Sequence, residues 1–240
     1  MNSDKLNLTI LVPVYNEEAI LEKSIGELLG KIENRFSSKT YELILCENGS
    51  TDNTLSIANE MASQWPSLRV IHLPEASYGH ALRHGISIAC GVYIVIFNAD
   101  FWDIDFLDYA LGHLEDYDII IGSKNTPGAK DSRPFNRRLI TIGFNLLLRI
   151  LFGFQGTDTH GIKAFKTDRA KTLANQCQTY AEIFDTELIL RAQKAGHSIH
   201  EIAVKVGETR PSRYSPLKRI PNTLIDLLTL INIFWFGSKK

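Results

Sequence analysis

VYIVIFNAD, residues 92–100, runs six apolar or aromatic residues into the polar tip Asn98-Ala99-Asp100. A short apolar run of this kind reads as a buried strand, and a buried strand that ends on polar residues delivers them to a site. Working outward, similar runs stand at 8–14 (LTILVPV), 41–46 (YELILC), 68–73 (LRVIHL) and 117–123 (YDIIIGS). Helical spacing separates them. Leu21, Ile25, Leu28, Leu29 and Ile32 predict a helix over 17–34. Leu55, Ala58 and Ala62 predict a second, capped by Thr51 or Asp52, and Leu82, Gly85, Ile86 and Ala89 line a third. Alternating strands and helices imply an α/β fold with a mainly parallel sheet covered on both faces. In such sheets ligands sit beyond the carboxyl ends of the strands. The second half reads as a helix near 134–152, a short strand at 162–165, a helix at 183–195, a strand at 198–206 and a C-terminal helix. With no linker, repeat or low-complexity run, the expectation is a single domain over 1–240, with a nucleotide-binding half (1–115) and an acceptor half (116–240).

The chain has 240 residues, 44% hydrophobic and 22% charged, with a formal net charge of -1. That balance gives no electrostatic case for nucleic acid as a partner. Cys46, Cys90 and Cys177 are far apart with no CxxC pair, and read as buried thiols of a reducing compartment. The first residues, MNSDKLNLTILVPVYNEE, lack a basic n-region and read as a first strand, not a signal peptide. No segment offers about 18 uninterrupted apolar residues. Two come close: 139–154, broken by Asn145 and Arg149, and 220–236, broken by Asn222, Asp226 and Asn232. Both have basic flanks, in Arg137, Arg138, Lys218, Arg219, Lys239 and Lys240. Two candidate membrane-surface helices follow, 134–153 and 216–236, against the alternative that both are core helices.

The strand ends gather Pro13-Val14-Tyr15-Asn16-Glu17, Glu47-Asn48-Gly49-Ser50-Thr51-Asp52 and Asn98-Ala99-Asp100. There is no GxGxxG after the first strand and no GxxxxGK[ST], which disfavours a dinucleotide site and a P-loop. Carboxylates and amides suit ribose hydroxyls, base edges and a divalent cation carrying a diphosphate.

PVYNEE, ENGSTDNT and FNAD, in that order and spacing, resemble the inverting family 2 glycosyltransferases of the GT-A fold. IIIGSK, RPFNRRLITIGFNLLLRILFG, DTHGIKAFK, FDTELILRAQKAG, IHEIAVKV and RPSRYSPLKR follow the order of the dolichyl-phosphate mannose and glucose synthases. No single motif is decisive; the ordered set covers nearly the whole chain. The resemblance implies transfer of a hexose from a nucleoside diphosphate sugar to a polyprenyl phosphate, with inversion, at the cytoplasmic membrane face. It implies that Pro13, Tyr15, Glu17, Glu47, Asn48, Arg83, Asn98 and Asp100 bind the nucleotide sugar. Lys124, Arg137, Arg138, Arg210 and Arg213 would hold phosphate, and Arg210 would join Asp100 and Asp185 as catalytic residues.

This sequence departs from the family pattern twice. Where the family has Asp-Asp-Gly-Ser it has Glu47-Asn48-Gly49-Ser50, so an amide that donates and accepts faces the base or ribose. Where the family has Asp-x-Asp it has Asn98-Ala99-Asp100. The metal pair is then Asp100 with Asn98, one carboxylate and one neutral oxygen, for Mg²⁺ or Mn²⁺ held more weakly by roughly 1–3 kcal/mol. Trp102, where the family often has Gln, cannot ligate, and Asp103 reads as the cap of a helix from 104. Two outcomes follow: weak metal use with cations of the second half carrying much of the charge, or a non-catalytic sugar-nucleotide binder. The basic residues of the second half favour the enzyme, because a diphosphate leaving group needs positive charge.

A hydroxyl acceptor, such as a glycan, would need a base, and Asp185 or Glu187 in FDTEL is the candidate. A lipid phosphate is already anionic and needs none. His80 and His84 share a helix face without a third ligand, so a zinc site is disfavoured. His160 either touches phosphate or is simply exposed, and Asp158 reads as fixing its loop.

Overall fold

The computed structural model describes residues 7–36, 40–131, 135–206 and 216–237. Along the chain run β1 (Leu8–Val14), α1 (Leu21–Arg35), β2 (Tyr41–Asn48), α2 (Thr54–Gln64), β3 (Leu68–Leu73), α3 (Tyr78–Ile88), β4 (Tyr93–Ile96), α4 (Ile104–His113) and β5 (Ile119–Ser123). Then come β6 (Lys130–Asp131), α5 (Phe135–Phe152), β7 (Ile162–Lys166), α6 (Thr167–Gln176), α7 (Phe184–Lys194), β8 (Ile199–Ala203), β9 (Lys205–Val206) and α8 (Pro216–Ile231), which runs into a π-helical turn at Asn232–Phe236.

Seven strands form one sheet in the order β3-β2-β1-β4-β7-β5-β8, while β6 and β9 pair separately. Every pair in the large sheet is parallel except those of β7, which runs antiparallel to both β4 and β5. The mainly parallel, doubly covered sheet expected from the alternation is therefore present. Its central strands are apolar on both faces because helices cover both. One face packs Leu21, Ile25 and Leu29 of α1, Ala58 of α2 and Phe106 of α4 against Ile10, Val12, Leu43 and Phe97. The other packs Leu82 and Ile86 of α3, Leu173 of α6, Leu188 of α7 and Leu227 and Leu230 of α8 against Leu11, Ile44 and Ile96. Each such side chain stabilises the fold by about 1.5–3 kcal/mol through burial.

Four readings need correction. The helix expected from 17 starts at Leu21, because Glu17 to Ile20 form a turn that carries the end of β1 across the sheet edge. The strand expected over 198–206 is broken at Val204: β8 pairs with β5, and β9 turns away to pair with β6. Helix α6 was not foreseen, since its sequence TDRAKTLANQ is largely polar and buries only Ala170, Leu173 and Ala174. Cys90 is exposed, whereas Cys46 and Cys177 are buried as expected.

Candidate active site

The parallel register brings the expected strand ends to one edge. Val14 lies opposite Glu47, and Leu11 lies opposite Ile96 with Phe97 N–H donating to Leu11 O at 2.9 Å. That register brings the turn after β4 to the same edge as the loops after β1 and β2. The loops that follow β1 and β2 are stitched together. Asn16, in the left-handed region at φ 53°, donates its N–H to Ser50 Oγ at 2.9 Å and accepts Thr51 N–H on Oδ1 at 2.8 Å. Asn is among the few side chains that adopt this conformation readily. Glu17 donates its backbone N–H to Thr54 Oγ1 at 2.7 Å. The N-cap of α2 is Asn53 and not Thr51 or Asp52 as expected; Asp52 supports the turn before it by accepting Thr54 N–H at 3.0 Å.

The donor-side residues divide by environment. Pro13 and Tyr15 are half-buried and Glu17 is buried. Glu47 is fully buried, accepting Ser50 N–H at 2.6 Å and contacting His72 Nδ1. Burial alone would raise its pKa, but the hydrogen bonds from Ser50 and His72 outweigh that and hold it below the usual carboxylate range. Asn48 is buried, with Oδ1 accepting Ser77 N–H, so the loop before α3 docks on the second motif. Gly49 makes that docking possible: its φ is +65°, and a Cβ there would lie 2.8 Å from Ala76 N. Arg83 points its guanidinium at the α6–α7 connection, toward Cys177 O at 3.3 Å and Tyr180 Oη at 3.3 Å.

Asn98 to Phe101 form a tight turn closed by Asn98 N–H to Phe101 O at 3.0 Å and Phe101 N–H to Asn98 O at 3.2 Å. Ser24 of α1 fastens it, donating Oγ–H to Ala99 O at 2.6 Å and accepting Trp102 Nε1–H at 2.9 Å. Trp102 is thus an anchor, and Asp103 caps α4 by accepting Phe106 N–H at 3.0 Å, as the sequence predicts. Asn98 and Asp100 are both half-buried at the turn. Nothing in the sequence marked Ser24, 75 residues away, as its support.

A second cluster stands beside the turn. β7 pairs Lys163 with Ile96, and continuing that antiparallel register sets Gly161 opposite Asn98. Lys163 Nζ, only 1% exposed, donates to Gly161 O at 2.7 Å and lies 3.2 Å from Asp185 Oδ2. Tyr78 Oη–H donates to the same Asp185 oxygen at 2.8 Å. Burial first, and then the charge of Asp185, push the Tyr78 phenol well above its ordinary range, so it stays a donor. Asp185 Oδ1 is buried without a hydrogen-bond partner among the described residues. Lys124 Nζ lies 3.1 Å from Asp158 Oδ2. Burial would raise the Asp158 pKa, but Lys124, His160 and the His160 N–H together hold it low. Glu187, fully buried, accepts Gln178, Thr179 and Arg191 donors, which makes it a brace for the 178–180 loop.

Arg138 is exposed on α5; Arg137 lies on the same helix, with its side chain outside the described residues, as are Arg210 and Arg213. Leu139, Ile142, Leu146 and Ile150 of α5 and Leu224, Ile225 and Leu228 of α8 are exposed, as are Trp235 and Phe236. Among the described residues no helix is long and apolar enough to cross a membrane, and no three His, Cys, Asp or Glu side chains gather to hold a metal. His80 packs on Tyr180, with ring centroids 3.9 Å apart and the planes tilted by 46°, instead of pairing with His84.

The fold is that of the GT-A glycosyltransferases. The fold matches glucosyl-3-phosphoglycerate synthase from Mycobacterium tuberculosis, solved with Mn²⁺, UDP and glucosyl-3-phosphoglycerate, over 95% of this chain and 79% of that one, with a TM-score of 0.65 and 21% identity. The model of glycosyl transferase family 2 matches residues 9–175, and the chain belongs to that family. It is 31% identical over 232 residues to a dolichyl-phosphate beta-glucosyltransferase of Drosophila melanogaster, covering 90% of this chain and 71% of the relative. It is 28% identical over 254 residues to the Dictyostelium discoideum enzyme of the same name, covering 99% and 77%. Against the glycosyltransferase AglD of Haloferax volcanii it is 27% identical over 210 residues, covering 83% of this chain but only 33% of that much longer protein.

Proposed function

We propose that this chain transfers a hexose from a nucleoside diphosphate sugar to a polyprenyl phosphate, with inversion at carbon 1. The observation that carries the reading is the adjacency of the Asn98–Phe101 turn to the Lys124, Asp158, His160, Lys163 and Asp185 cluster along one sheet edge. A donor diphosphate at the turn then faces an acceptor phosphate at the cluster. The names of the dolichyl-phosphate relatives support that acceptor. In this reading 1–115 holds the donor and 116–240 the acceptor, as one catalytic unit.

Pro13, Tyr15, Glu17 and Asn48 form the nucleoside wall, with Glu47 buried behind it on Ser50 and His72 and Arg83 bracing its far side. Asp100 and Asn98 would hold a divalent ion weakly, with one carboxylate and one neutral amide oxygen, and leave most of its ligands to the donor diphosphate and water. Mn²⁺ in the glucosyl-3-phosphoglycerate synthase structures supports a divalent ion in general. The ion would screen the diphosphate charge. Lys124, Arg137, Arg138, Arg210 and Arg213 would supply the remaining positive charge. A lipid-phosphate oxygen attacks carbon 1 from the face opposite the diphosphate, the carbon–oxygen bond to the diphosphate breaks, and the nucleoside diphosphate leaves. No base is needed, because the attacking oxygen is already anionic.

The exposed apolar faces of α5 and α8 support peripheral contact with the cytoplasmic membrane face, where such a lipid would be met. A second reading, transfer to a hydroxyl, is favoured by the unpartnered Asp185 Oδ1 as base. Hydrolysis-corrected turnover of several nucleotide sugars, with a short polyprenyl phosphate and with a glycan, separates the two. Product with the phosphate that survives Asp185→Asn supports the first. Product only with the glycan, abolished by Asp185→Asn, replaces it with the second.

A further inference from the structure

In the acceptor-side cluster, the charges are already matched. Lys124 lies 3.1 Å from Asp158 and Lys163 lies 3.2 Å from Asp185. Each lysine shares its charge with a carboxylate, and the side-chain group of the cluster not committed to an ion pair is His160. Its backbone N–H is held by Asp158 Oδ1 at 2.9 Å, and its ring lies near Phe144 of α5 with centroids 5.9 Å apart. The side chain is open to solvent at the mouth of the cluster, and Nε2 makes no hydrogen bond among the described residues.

The other ring nitrogen reads out the tautomer. Nδ1 lies 3.1 Å from Thr159 Oγ1, which lies 2.9 Å from Thr186 Oγ1. Thr186 is 0% exposed and Thr159 1% exposed, so neither hydroxyl reaches water. Thr186 has no other side-chain partner among the described residues, so its proton goes to Thr159 Oγ1. The Thr159 proton is then free only for His160 Nδ1. A buried donor left without an acceptor is costly, which fixes the direction of the chain. With Nδ1 accepting, the imidazole proton sits on Nε2, pointing outward.

We propose that His160 recognises the acceptor phosphate, presenting an Nε2–H donor whose proton is fixed there by the buried Thr186–Thr159 hydroxyl chain. The assignment rests on the transfer reading above for the identity of the phosphate, not for the tautomer. With Nδ1 accepting from Thr159, the ring carries its one proton on Nε2 and is a neutral donor, not a cation competing with the lysines for the two carboxylates.

The test uses the full chain and histidine-selective nitrogen NMR, with the His160 resonance identified by its loss in His160→Gln. The expected spectrum has an unprotonated Nδ1 and a protonated Nε2, and the resonance moves on adding citronellyl phosphate but not citronellol. Inorganic phosphate as a third arm shows whether the headgroup alone suffices. In turnover, His160→Ala raises the acceptor KM about tenfold with the donor KM unchanged, the size expected for losing one hydrogen bond to a charged group. His160→Gln, which retains an N–H donor, recovers most of it. A protonated Nδ1, or a resonance unmoved by citronellyl phosphate while transfer proceeds, overturns the proposal. A resonance that moves while no sugar is transferred leaves the phosphate contact standing and refutes the transfer reading instead.

Discussion

Lys163 Nζ and Asp185 Oδ2 lie 3.2 Å apart, the lysine 1% exposed and the aspartate 4%. A charge pair this deep is costly to bury and costlier to split, because removing one partner strands the other. Lys163→Met is expected to destabilise the protein by about 3–5 kcal/mol. The double variant Lys163→Met, Asp185→Asn should lose clearly less than the two single losses combined. Urea denaturation of the four proteins checks both statements; additive losses would mean the pair is not coupled.

Gly49 carries a different constraint. Its φ of +65° and the 2.8 Å approach of Ala76 N to a would-be Cβ leave no room for a side chain. Gly49→Ala should destabilise by at least about 1–2 kcal/mol. It should also loosen the loop that docks Ser77 on Asn48. Nucleoside diphosphate affinity, measured by calorimetry, is expected to fall with stability; an unchanged affinity would separate Asn48 from the donor site.

At the Asn98–Phe101 turn, Asn98→Asp adds one carboxylate oxygen beside Asp100. Mn²⁺ titrated in the presence of a nucleoside diphosphate should bind about tenfold more tightly, the scale of one extra charge in a partly exposed site. Asp100→Asn should abolish the metal-dependent part of binding. Equal Mn²⁺ affinity in wild type and Asn98→Asp would move the ion away from this turn.

Asp158 supplies a pH dependence. Its pKa is held below the ordinary 3.8 in the folded state, so the folded protein keeps it ionised where the unfolded chain would protonate it. The stability it contributes is fully present above 3.8 and is lost as pH falls from there through the lower folded value. Lys124→Met removes the main stabilising charge, and acid unfolding should then begin at higher pH. Far-ultraviolet circular dichroism against pH follows the transition; coincident acid limbs would show that the Lys124 contact is not what holds Asp158 low.

Much of this was legible in the sequence because it is local. Apolar runs 8–14, 41–46, 68–73 and 92–97 became β1 to β4, and the polar tips of β1, β2 and β4 meet at one edge as the alternation requires. Asp103 and Asp52 act on helix starts in their own neighbourhoods. What escaped depends on pairs remote in sequence. Ser24 supports Ala99 from α1. Lys163 reads as one apolar-strand residue among others until β7 runs antiparallel beside β4 and carries it under Asp185. Thr159 and Thr186 look like ordinary hydroxyls until the fold sets them 2.9 Å apart. Arg83 reads as a nucleotide-sugar-binding residue, and only the α6–α7 connection shows where its guanidinium goes.

The central claim is that two phosphates, one from the sugar donor and one from the lipid, meet between Asp100 and His160. The most direct measurement is phosphorus and proton NMR of the product formed from an α-linked nucleoside diphosphate hexose and citronellyl phosphate in the presence of Mn²⁺. The account predicts a phosphodiester whose phosphorus couples to the sugar's carbon-1 proton, with β configuration and stoichiometric release of nucleoside diphosphate. An α-linked product, a glycoside carrying no phosphorus, or nucleoside diphosphate released without any lipid-linked sugar would contradict it.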